Sequence, residues 1–201
     1  MRDLLREIKR HGQRLGRDRS GQALIEFAVP AVFLILLIFG LIDFAIPIYY
    51  REVMINVSRE GSNIAARIGA ATPADACSTA LVSVVSSANP LLITNTTASS
   101  KGQGRVIISA IVNGGAGTFN VVAQSAMGGL TANEAPSKVA PNGIGRIGAS
   151  NLPKTGTFPQ IPYGHTTLYV TEIYYRFHPA SPLGGLVKFV MTNQLYDAAY
   201  F

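Results

Sequence analysis

The sequence predicts an α+β protein in which a single N-terminal transmembrane helix continues into an amphipathic helix, packed on a small, mostly antiparallel β-sheet domain. Three observations support this fold class. An apolar run of membrane length lies near the amino end, a helix-period pattern follows it, and beyond Pro90 the composition changes to Thr, Ser, Asn, Gly and β-branched residues. With 48% hydrophobic and only 14% charged residues, the chain is apolar for a soluble protein of 201 residues.

The positive charge is concentrated in the first 21 residues. This segment carries seven Lys or Arg against three acidic residues, a net charge of +4 out of the formal +6 of the whole chain. The remaining residues therefore carry only +2, which is too little and too scattered for a phosphate-binding surface. We expect no nucleic-acid partner.

The apolar run extends from Phe27 to Tyr50, with Asp43 as its one charged residue. Its 24 positions would form about 36 Å of helix, enough to cross a hydrocarbon core of about 30 Å. A central Asp costs about 2.5 to 3.5 kcal/mol on the insertion scale, whereas each Leu, Ile, Phe or Val contributes about −0.3 to −0.6 kcal/mol. Because 15 of the 24 residues are of these four types, insertion is favourable. A buried core helix of a soluble protein is rarely this long and unpatterned.

The flanking charges predict the orientation of the span. Basic residues crowd the amino side, and only Arg51 and Arg59 follow closely, so the amino end is expected in the cytoplasm and the chain from about residue 51 outside it. Tyr49 and Tyr50 would lie among the outer headgroups. A cleavable secretory signal is the first alternative, but its apolar core would be about 7 to 15 residues long with a small-residue cleavage site behind it.

Two helices are predicted after the span. The first is amphipathic, continuous with the span, and ends at Thr72-Pro73, because proline disfavours helical geometry in the residue before it. Its apolar positions are Val53, Val57, Gly61, Ile64 and Ile68. The second helix begins with Pro73 in its first turn, where proline fits, and runs to about Ala88. Its apolar side is formed by Cys77, Leu81, Val84, Val85 and Ala88. Cys77 is the single cysteine, so we expect a buried, unreactive thiol and no disulfide within the chain.

Strands are predicted beyond Pro90. Residues 106–112 form an apolar run, residues 119–125 alternate, and residues 167–178 form the strongest strand, apolar on parts of both faces as in a central strand packed against a helix. Residues 128–166 are rich in Gly, Pro, Asn and Ser, so we expect a long loop or irregular excursion rather than packed structure. A last strand is expected within residues 186–192.

The border between the basic segment and the apolar run reads Arg-Ser-Gly-Gln-Ala-Leu-Ile-Glu-Phe over residues 19–27. Here the sequence resembles the type IV pilin precursors, and most closely the TadE-like minor pilins, or pseudopilins, of tight-adherence (Flp-type) pili. The resemblance covers roughly residues 15–70 and 167–183 and is poor over residues 90–166. The string Gly-x4-Glu-Phe becomes specific through its position between a basic leader and a membrane helix.

The resemblance implies a processing site at Gly21 and Gln22. In that family a prepilin peptidase cuts after the leader glycine on the cytoplasmic face, and the fifth mature residue is Glu followed by an aromatic residue. With Gln22 as the first mature residue, Glu26 is the fifth and Phe27 the sixth. The implied partners are inner-membrane lipid, prepilin peptidase, other major and minor pilins and the pilus assembly platform. The implied location is the inner membrane, crossed once with the C-terminal domain exported, or the pilus fibre.

Glu26, Phe27 and Asp43 are the predicted subunit-assembly residues. Cleavage would free an α-ammonium on Gln22, which the Glu26 carboxylate of a neighbouring subunit could neutralise, with an attraction of about 4 kcal/mol before desolvation. Alternatively, Glu26 simply complements the helix dipole, which contributes about 0.3 to 1 kcal/mol. Asp43 would face the interior of a helix bundle, contact Arg51, or lie near the outer interface without further role.

No catalytic or cofactor site is predicted. The glycine clusters at residues 102–104 and 114–117 lack the Lys-Ser/Thr of a phosphate loop. The histidines at 11, 165 and 178 lie far apart, with no metal-ligand spacing and no nucleophile motif beside them. We expect no cofactor, no metal and no enzyme activity.

The predicted organisation has four parts: a basic leader at residues 1–21, a transmembrane or filament helix at 22–50, an exported helical segment at 51–88, and a strand- and loop-rich exported domain at 89–201. The predicted function is that of a minor pilin or pseudopilin needed to assemble a tight-adherence pilus. The alternative is an uncleaved, signal-anchored envelope protein that binds a ligand through residues 90–166.

Overall fold

The computed structural model of the chain describes residues 19–68, 72–94, 102–115, 118–148, 167–178 and 193–201. Two helices and five strands are present in these ranges. They are α1 (Arg19–Arg67), α2 (Pro73–Ser87), β1 (Gly104–Gly115), β2 (Thr118–Gly128), β3 (Gly145–Gly148), β4 (Thr167–Arg176) and β5 (Gln194–Tyr200). The predicted α+β class is confirmed, whereas the basic leader up to residue 18 and the strand expected at 186–192 lie outside the described residues.

Helix α1 is 49 residues long and continues through Pro30 and Pro47. At about 1.5 Å per residue it measures roughly 74 Å, more than twice the thickness of a hydrocarbon core. Its amino-terminal half exposes an apolar surface that runs from Leu24 to Tyr49. Within the part of the chain that the structure describes, α1 is the one helix long and apolar enough to cross a membrane.

The carboxy-terminal half of α1 is amphipathic, as its spacing predicted. Buried residues recur every three or four positions and therefore form one stripe along the helix. This stripe, here called the packing face of α1, consists of Asp43, Pro47, Met54, Val57, Ser58, Gly61, Ser62 and Ala65. Exposed Arg51, Glu52, Arg59 and Glu60 lie on other sides of the helix.

Helix α2 begins at the predicted proline. The hydroxyl of Thr72 caps it by accepting the backbone N–H of Asp75 at 3.2 Å, and Pro73 occupies the first turn, where a missing N–H costs nothing. Its buried side includes the predicted Cys77, Leu81 and Val84. This side faces the core, and α2 also contacts α1.

The five strands form one antiparallel sheet in the order β3-β2-β1-β4-β5. β1 is the central strand, and β4 lies between β1 and β5. Helix α1 packs over β4 and β5, and α2 packs over β1 and β2, on the same face of the sheet. Side chains of β4 therefore alternate: Ile173 and Tyr175 meet the helices, and Val170 and Tyr174 point to the opposite face.

That opposite face is covered by residues 129–144, here called the cover loop. Leu130, Ala135, Val139 and Ala140 of the loop are buried against β1, β2 and β4. The sequence expectation for this region was right about the absence of regular structure up to residue 144. It was wrong about packing, because the second face of the sheet is itself apolar and side chains of the loop cover it. It was also wrong about residues 145–148, which form β3, and residues 149–166 lie outside the described residues.

Candidate functional site

The candidate site begins where the predicted leader ends. Gly21 is in the exposed first turns of α1, and beyond its own helical turn no described residue has an atom within 4 Å of a Cβ placed on it. One residue later, the side-chain amide of Gln22 donates a hydrogen bond of 2.9 Å to a carboxylate oxygen of Glu26. The two residues are four positions apart and so lie on one side of the helix. The predicted first and fifth mature residues are therefore in direct contact.

An apolar surface surrounds this polar pair. Leu24, Ile25 and Phe27 are exposed, and Phe27 shows 75% of its surface. A carboxylate at the edge of such a surface is costly in lipid unless a donor or cation partners it. The Gln22 amide is one donor already in place. Glu26 and Phe27 thus present a charge and an aromatic ring on adjacent positions of an exposed helix.

Asp43 is in a different environment from Glu26. It is 1% exposed and lies on the packing face of α1, although its neighbours Ile42 and Phe44 are exposed. The chain itself therefore encloses this carboxylate. The structure places the two predicted assembly carboxylates in contrasting settings, one accessible and one covered, and the assembly role of Asp43 stays a prediction.

Two serines attach the packing face of α1 to the sheet. The Ser58 hydroxyl lies 2.5 Å from an Asp197 carboxylate oxygen in β5. The Ser62 oxygen accepts the backbone N–H of Thr171 in β4 at 3.0 Å and lies 2.9 Å from the carbonyl oxygen of Ala199 in β5. Ser62 therefore bridges the two strands. Sequence reasoning did not identify these serines, although small polar residues on an apolar helix face were the available signal.

Between the two serines, Gly61 allows α1 to approach the sheet and α2 closely. A Cβ on Gly61 would lie 2.9 Å from both γ atoms of Thr171 and 2.9 Å from a γ-methyl of Val84. These distances are shorter than ordinary van der Waals contact. Glycine is therefore required here for close packing rather than for backbone conformation.

An aromatic contact joins α1 to the sheet near the end of the apolar run. The rings of Tyr50 and Tyr175 meet edge to face with centroids 5.1 Å apart. This geometry is favourable for aromatic pairs. Tyr50, predicted to lie at the outer headgroups, thus also contacts the domain.

The cover loop is held by one buried carboxylate, Glu172 of β4, which is fully buried. It accepts hydrogen bonds from the backbone N–H of Lys138 at 2.8 Å, the Tyr196 hydroxyl at 2.9 Å and the Ser137 hydroxyl. Such convergent donors are what a buried carboxylate requires. The available sequence signal was a glutamate inside an apolar strand, but the sequence did not predict its partners in the cover loop.

Tyrosines around Glu172 are shifted towards the neutral form. Burial, and then the charge of Glu172, raise the pKa of Tyr174 to about 12. Burial and the same carboxylate also raise the pKa of Tyr196. The Tyr174 hydroxyl donates to the carbonyl oxygen of Pro136 at 2.6 Å, and the Lys138 ammonium lies 3.7 Å from the centroid of the Tyr196 ring. These contacts fix the cover loop over β4 and β5.

Cys77 is buried in the core between the helices and the sheet, as predicted. Burial raises the pKa of its thiol to about 11, so little thiolate forms near neutral pH. Across the described ranges, no group of three or more His, Cys, Asp or Glu side chains is arranged to hold a metal ion.

Comparison with protein families supports the resemblance seen in the sequence. Residues 21–63 match the family described as TadE-like protein. The match contains Gly21, Gln22, Glu26 and Asp43 and ends within the packing face of α1, just after Ser62. Neither a curated protein nor a solved structure matches the chain. The family match therefore covers the apolar part of α1 and most of its amphipathic part, and it does not include the sheet.

Proposed function

We propose that this TadE-like chain is a minor pilin or pseudopilin that takes part in assembly of a tight-adherence pilus. In this proposal a prepilin peptidase cuts after Gly21, and Glu26 then pairs subunit helices. The observation that carries the proposal is the direct contact between Gln22 and Glu26, at the start of an exposed apolar helix and immediately after Gly21. Gln22, which would become the new amino terminus, and Glu26, which would pair with a neighbouring subunit, already lie on one face of the helix.

Cleavage would change the electrostatics of this helix end. In the uncut chain the nitrogen of Gln22 is a neutral amide, and the Glu26 carboxylate is partnered by the Gln22 side chain. Hydrolysis of the Gly21–Gln22 bond turns that nitrogen into an α-ammonium at a helix amino terminus, which adds to the positive end of the dipole. A neighbouring subunit's carboxylate at about 4 Å would gain roughly 4 kcal/mol before desolvation is subtracted.

The geometry of α1 supports pairing between subunits. Glu26 is exposed, and apolar side chains with large exposed surfaces surround it. When two such helices pack side by side, burial of the apolar surface brings the polar pairs of both into a region of low dielectric. An unmatched carboxylate is costly there, so the ammonium of a neighbour becomes a specific partner.

Processing can be tested with a matched pair of glycine variants. Gly21 and Gly40 both lie in α1, and among the described residues outside its own turn a Cβ on either would meet no atom within 4 Å, so both sites have room for a larger side chain. With prepilin peptidase co-expressed, the parent chain and Gly40→Leu should yield an amino terminus at Gln22, and Gly21→Leu should remain uncut. Edman sequencing or mass spectrometry of the purified chains reports the terminus. Functional chains that retain residues 1–21 would favour the uncleaved, signal-anchored envelope protein instead.

The role of Glu26 needs a different comparison. Glu26→Ala should leave membrane insertion unchanged but lower piliation and co-purification with companion pilins. Glu60→Ala removes an exposed carboxylate from the same helix outside the predicted span and should change neither. Normal piliation with Glu26→Ala would contradict the pairing role. Co-purification of the parent chain with pilins and the assembly platform, and its fractionation between inner membrane and fibre, test the proposed partners and location.

A further inference from the structure

We propose that the exported domain rests against the outer leaflet of the membrane crossed by α1, and that the end of the domain holding Leu92 and Tyr175 contacts the lipid headgroups. The proposal needs membrane insertion of α1 but not cleavage after Gly21 or entry into a pilus. It assigns a lipid-contact surface to the folded domain, in addition to the span itself.

The last turns of the apolar run have two different sides. Leu41 and Ile48 are 67% and 60% exposed, and Tyr49 is exposed, so this side continues the apolar surface of the span. On the other side Asp43 is 1% exposed and Pro47 is buried. Over residues 41–49, one side of α1 is therefore open to lipid, and the other side is covered by another part of the chain.

The covered side reaches below the level of the headgroups. Tyrosines in a span favour the interface, which places Tyr49 and Tyr50 at that level. Asp43 precedes Tyr50 by seven residues, or about 10 Å along the helix axis. A bare carboxylate at that depth in lipid is costly, and its coverage by protein removes it from contact with lipid. Another part of the chain thus covers one side of α1 about 10 Å inside the level that Tyr50 marks.

Contacts within the domain show which of its ends lies at this level. The Tyr50 ring meets that of Tyr175 in the last turn of β4. Next to it, the carbonyl oxygen of Gln103 accepts the N–H of Arg176 at 2.7 Å, and the N–H of Gln103 donates to the carbonyl oxygen of Leu92 at 2.8 Å. These contacts place Leu92 near the level that Tyr50 marks. Because its side chain is apolar and 49% exposed, it could contact lipid there.

The opposite direction along α1 leads away from the membrane. Gly61 follows Tyr50 by eleven residues, about 16 Å further along the axis, and approaches Val84 of α2. Val82, in the adjoining turn of α2, is 58% exposed and apolar like Leu92. Leu92 and Val82 are thus similar in chemistry and exposure but differ in distance from the predicted bilayer.

Lipid is the partner that these observations favour. A continuous line of ring contacts connects this end to the apolar side of the span: the Tyr49 and Tyr50 rings have centroids 6.0 Å apart, and the Tyr50 ring meets that of Tyr175. Tyrosine combines an apolar ring with a polar hydroxyl, which suits the boundary between acyl chains and headgroups. A protein partner on the same surface would not require this continuity with the span.

The test uses the full chain in liposomes that contain lipids brominated near the headgroup end of the acyl chains, in both leaflets. In a Cys77→Ala background, single cysteines at Leu41, Ile48, Leu92 or Val82 carry a small environment-sensitive fluorophore. We expect bromolipid to quench the probe at 92 to an extent comparable with 48, and to leave the probe at 82 unquenched. Near-UV circular dichroism confirms that each labelled chain is folded.

Three outcomes would overturn the proposal: two contradict the lipid contact of the domain, and one contradicts insertion of α1. Equal lack of quenching at 92 and 82, with quenching at 48, would show a domain held clear of the lipid. A probe at 92 that is shielded from water-soluble quencher but not quenched by bromolipid would show a protein contact instead. Lack of quenching at both 48 and 92 would show that α1 is not inserted, which contradicts the premise shared with the proposed function.

Discussion

The hydroxyl of Ser58 in α1 donates to the carboxylate of Asp197 in β5 across 2.5 Å, although 139 positions separate the two residues in the chain. Asp197 faces Ile173 of β4 in the sheet register, and one helical turn after Ser58, Ser62 bridges β4 and β5. The helix that is long and apolar enough to cross a membrane is therefore bonded to β4 and β5. These polar contacts fix the direction of α1 relative to the sheet.

Loss of the Ser58 contact should destabilise the domain. A hydrogen bond to a charged group contributes about 1.5 to 3 kcal/mol, so Ser58→Ala should lower the free energy of unfolding by about that amount. Ser86→Ala is the control, because the Ser86 hydroxyl is exposed and bonds a carbonyl within its own helix, and it should change stability by less than about 0.5 kcal/mol. Denaturant unfolding of the full chain in detergent, followed by near-UV circular dichroism, measures both. Equal effects would contradict the assignment.

Substitution of two glycines in α1 should destabilise the domain at one position and leave it unchanged at the other. Gly61→Ala adds a methyl group 2.9 Å from Thr171 and Val84, and the resulting overpacking should cost about 1 to 3 kcal/mol, more than the helix-propensity gain of about 1 kcal/mol. Gly40→Ala has open space and should leave unfolding of the domain unchanged. Thermal unfolding of both variants in the same detergent provides the comparison. A stabilised Gly61→Ala chain would show that α1 does not approach the sheet this closely.

Removal of the Glu172 carboxylate should release the cover loop. Glu172→Ala leaves the Lys138 N–H and the Ser137 and Tyr196 hydroxyls without their acceptor, and each buried donor left unpaired costs about 1 to 3 kcal/mol. Hydrogen exchange of the Lys138 and Val139 amides should accelerate at least about tenfold, since 1.4 kcal/mol corresponds to a factor of ten. Glu60→Ala is the exposed control. Unchanged exchange at 138 and 139 in Glu172→Ala would contradict the role of this carboxylate.

High pH should destabilise the fold through Tyr174. Its pKa is about 12 in the folded chain, against about 10 for an ordinary tyrosine, so between these values the unfolded chain has lost a proton that the folded chain retains. The free energy of unfolding must then fall as pH rises from about 10 to 12, and Tyr174 contributes no slope below that window. Tyr174→Phe should flatten part of the slope. At neutral pH it should cost about 0.5 to 1.5 kcal/mol for the lost bond to Pro136.

Several elements were accessible from sequence because their signals are local. The long apolar run, with Asp43 as its one charge, predicted a helix of membrane length. The spacing of Val57 and Gly61 predicted the packing face, and Thr72-Pro73 predicted the start of α2. Alternation predicted β2, and a run with apolar residues on both faces predicted β4. β3 escaped prediction because four residues are too few for a periodic pattern. β5 escaped because Gln, Asp and two Ala interrupt its apolar alternation.

One part of the candidate site could likewise be predicted from the sequence, and another part could not. Gly21, Gln22, Glu26 and Phe27 were found from a short motif beside a leader and a span, and their helical spacing guaranteed that Gln22 and Glu26 could touch. The enclosure of Asp43 could not be found, because a single acidic residue in an apolar run does not reveal which side of the helix another part of the chain will cover.

The sequence by itself determined that one helix is apolar enough to cross a membrane, and that it extends as an amphipathic helix into a strand-rich region. Hydrophobic partition and side-chain periodicity sum over neighbouring residues, so they can be read without the fold. Only the tertiary structure decided that Ser58 meets Asp197, that Glu172 holds the cover loop and that Asp43 is enclosed. Hydrogen bonds are directional over about 3 Å, so their partners depend on strand register and helix position that distant parts of the chain set together.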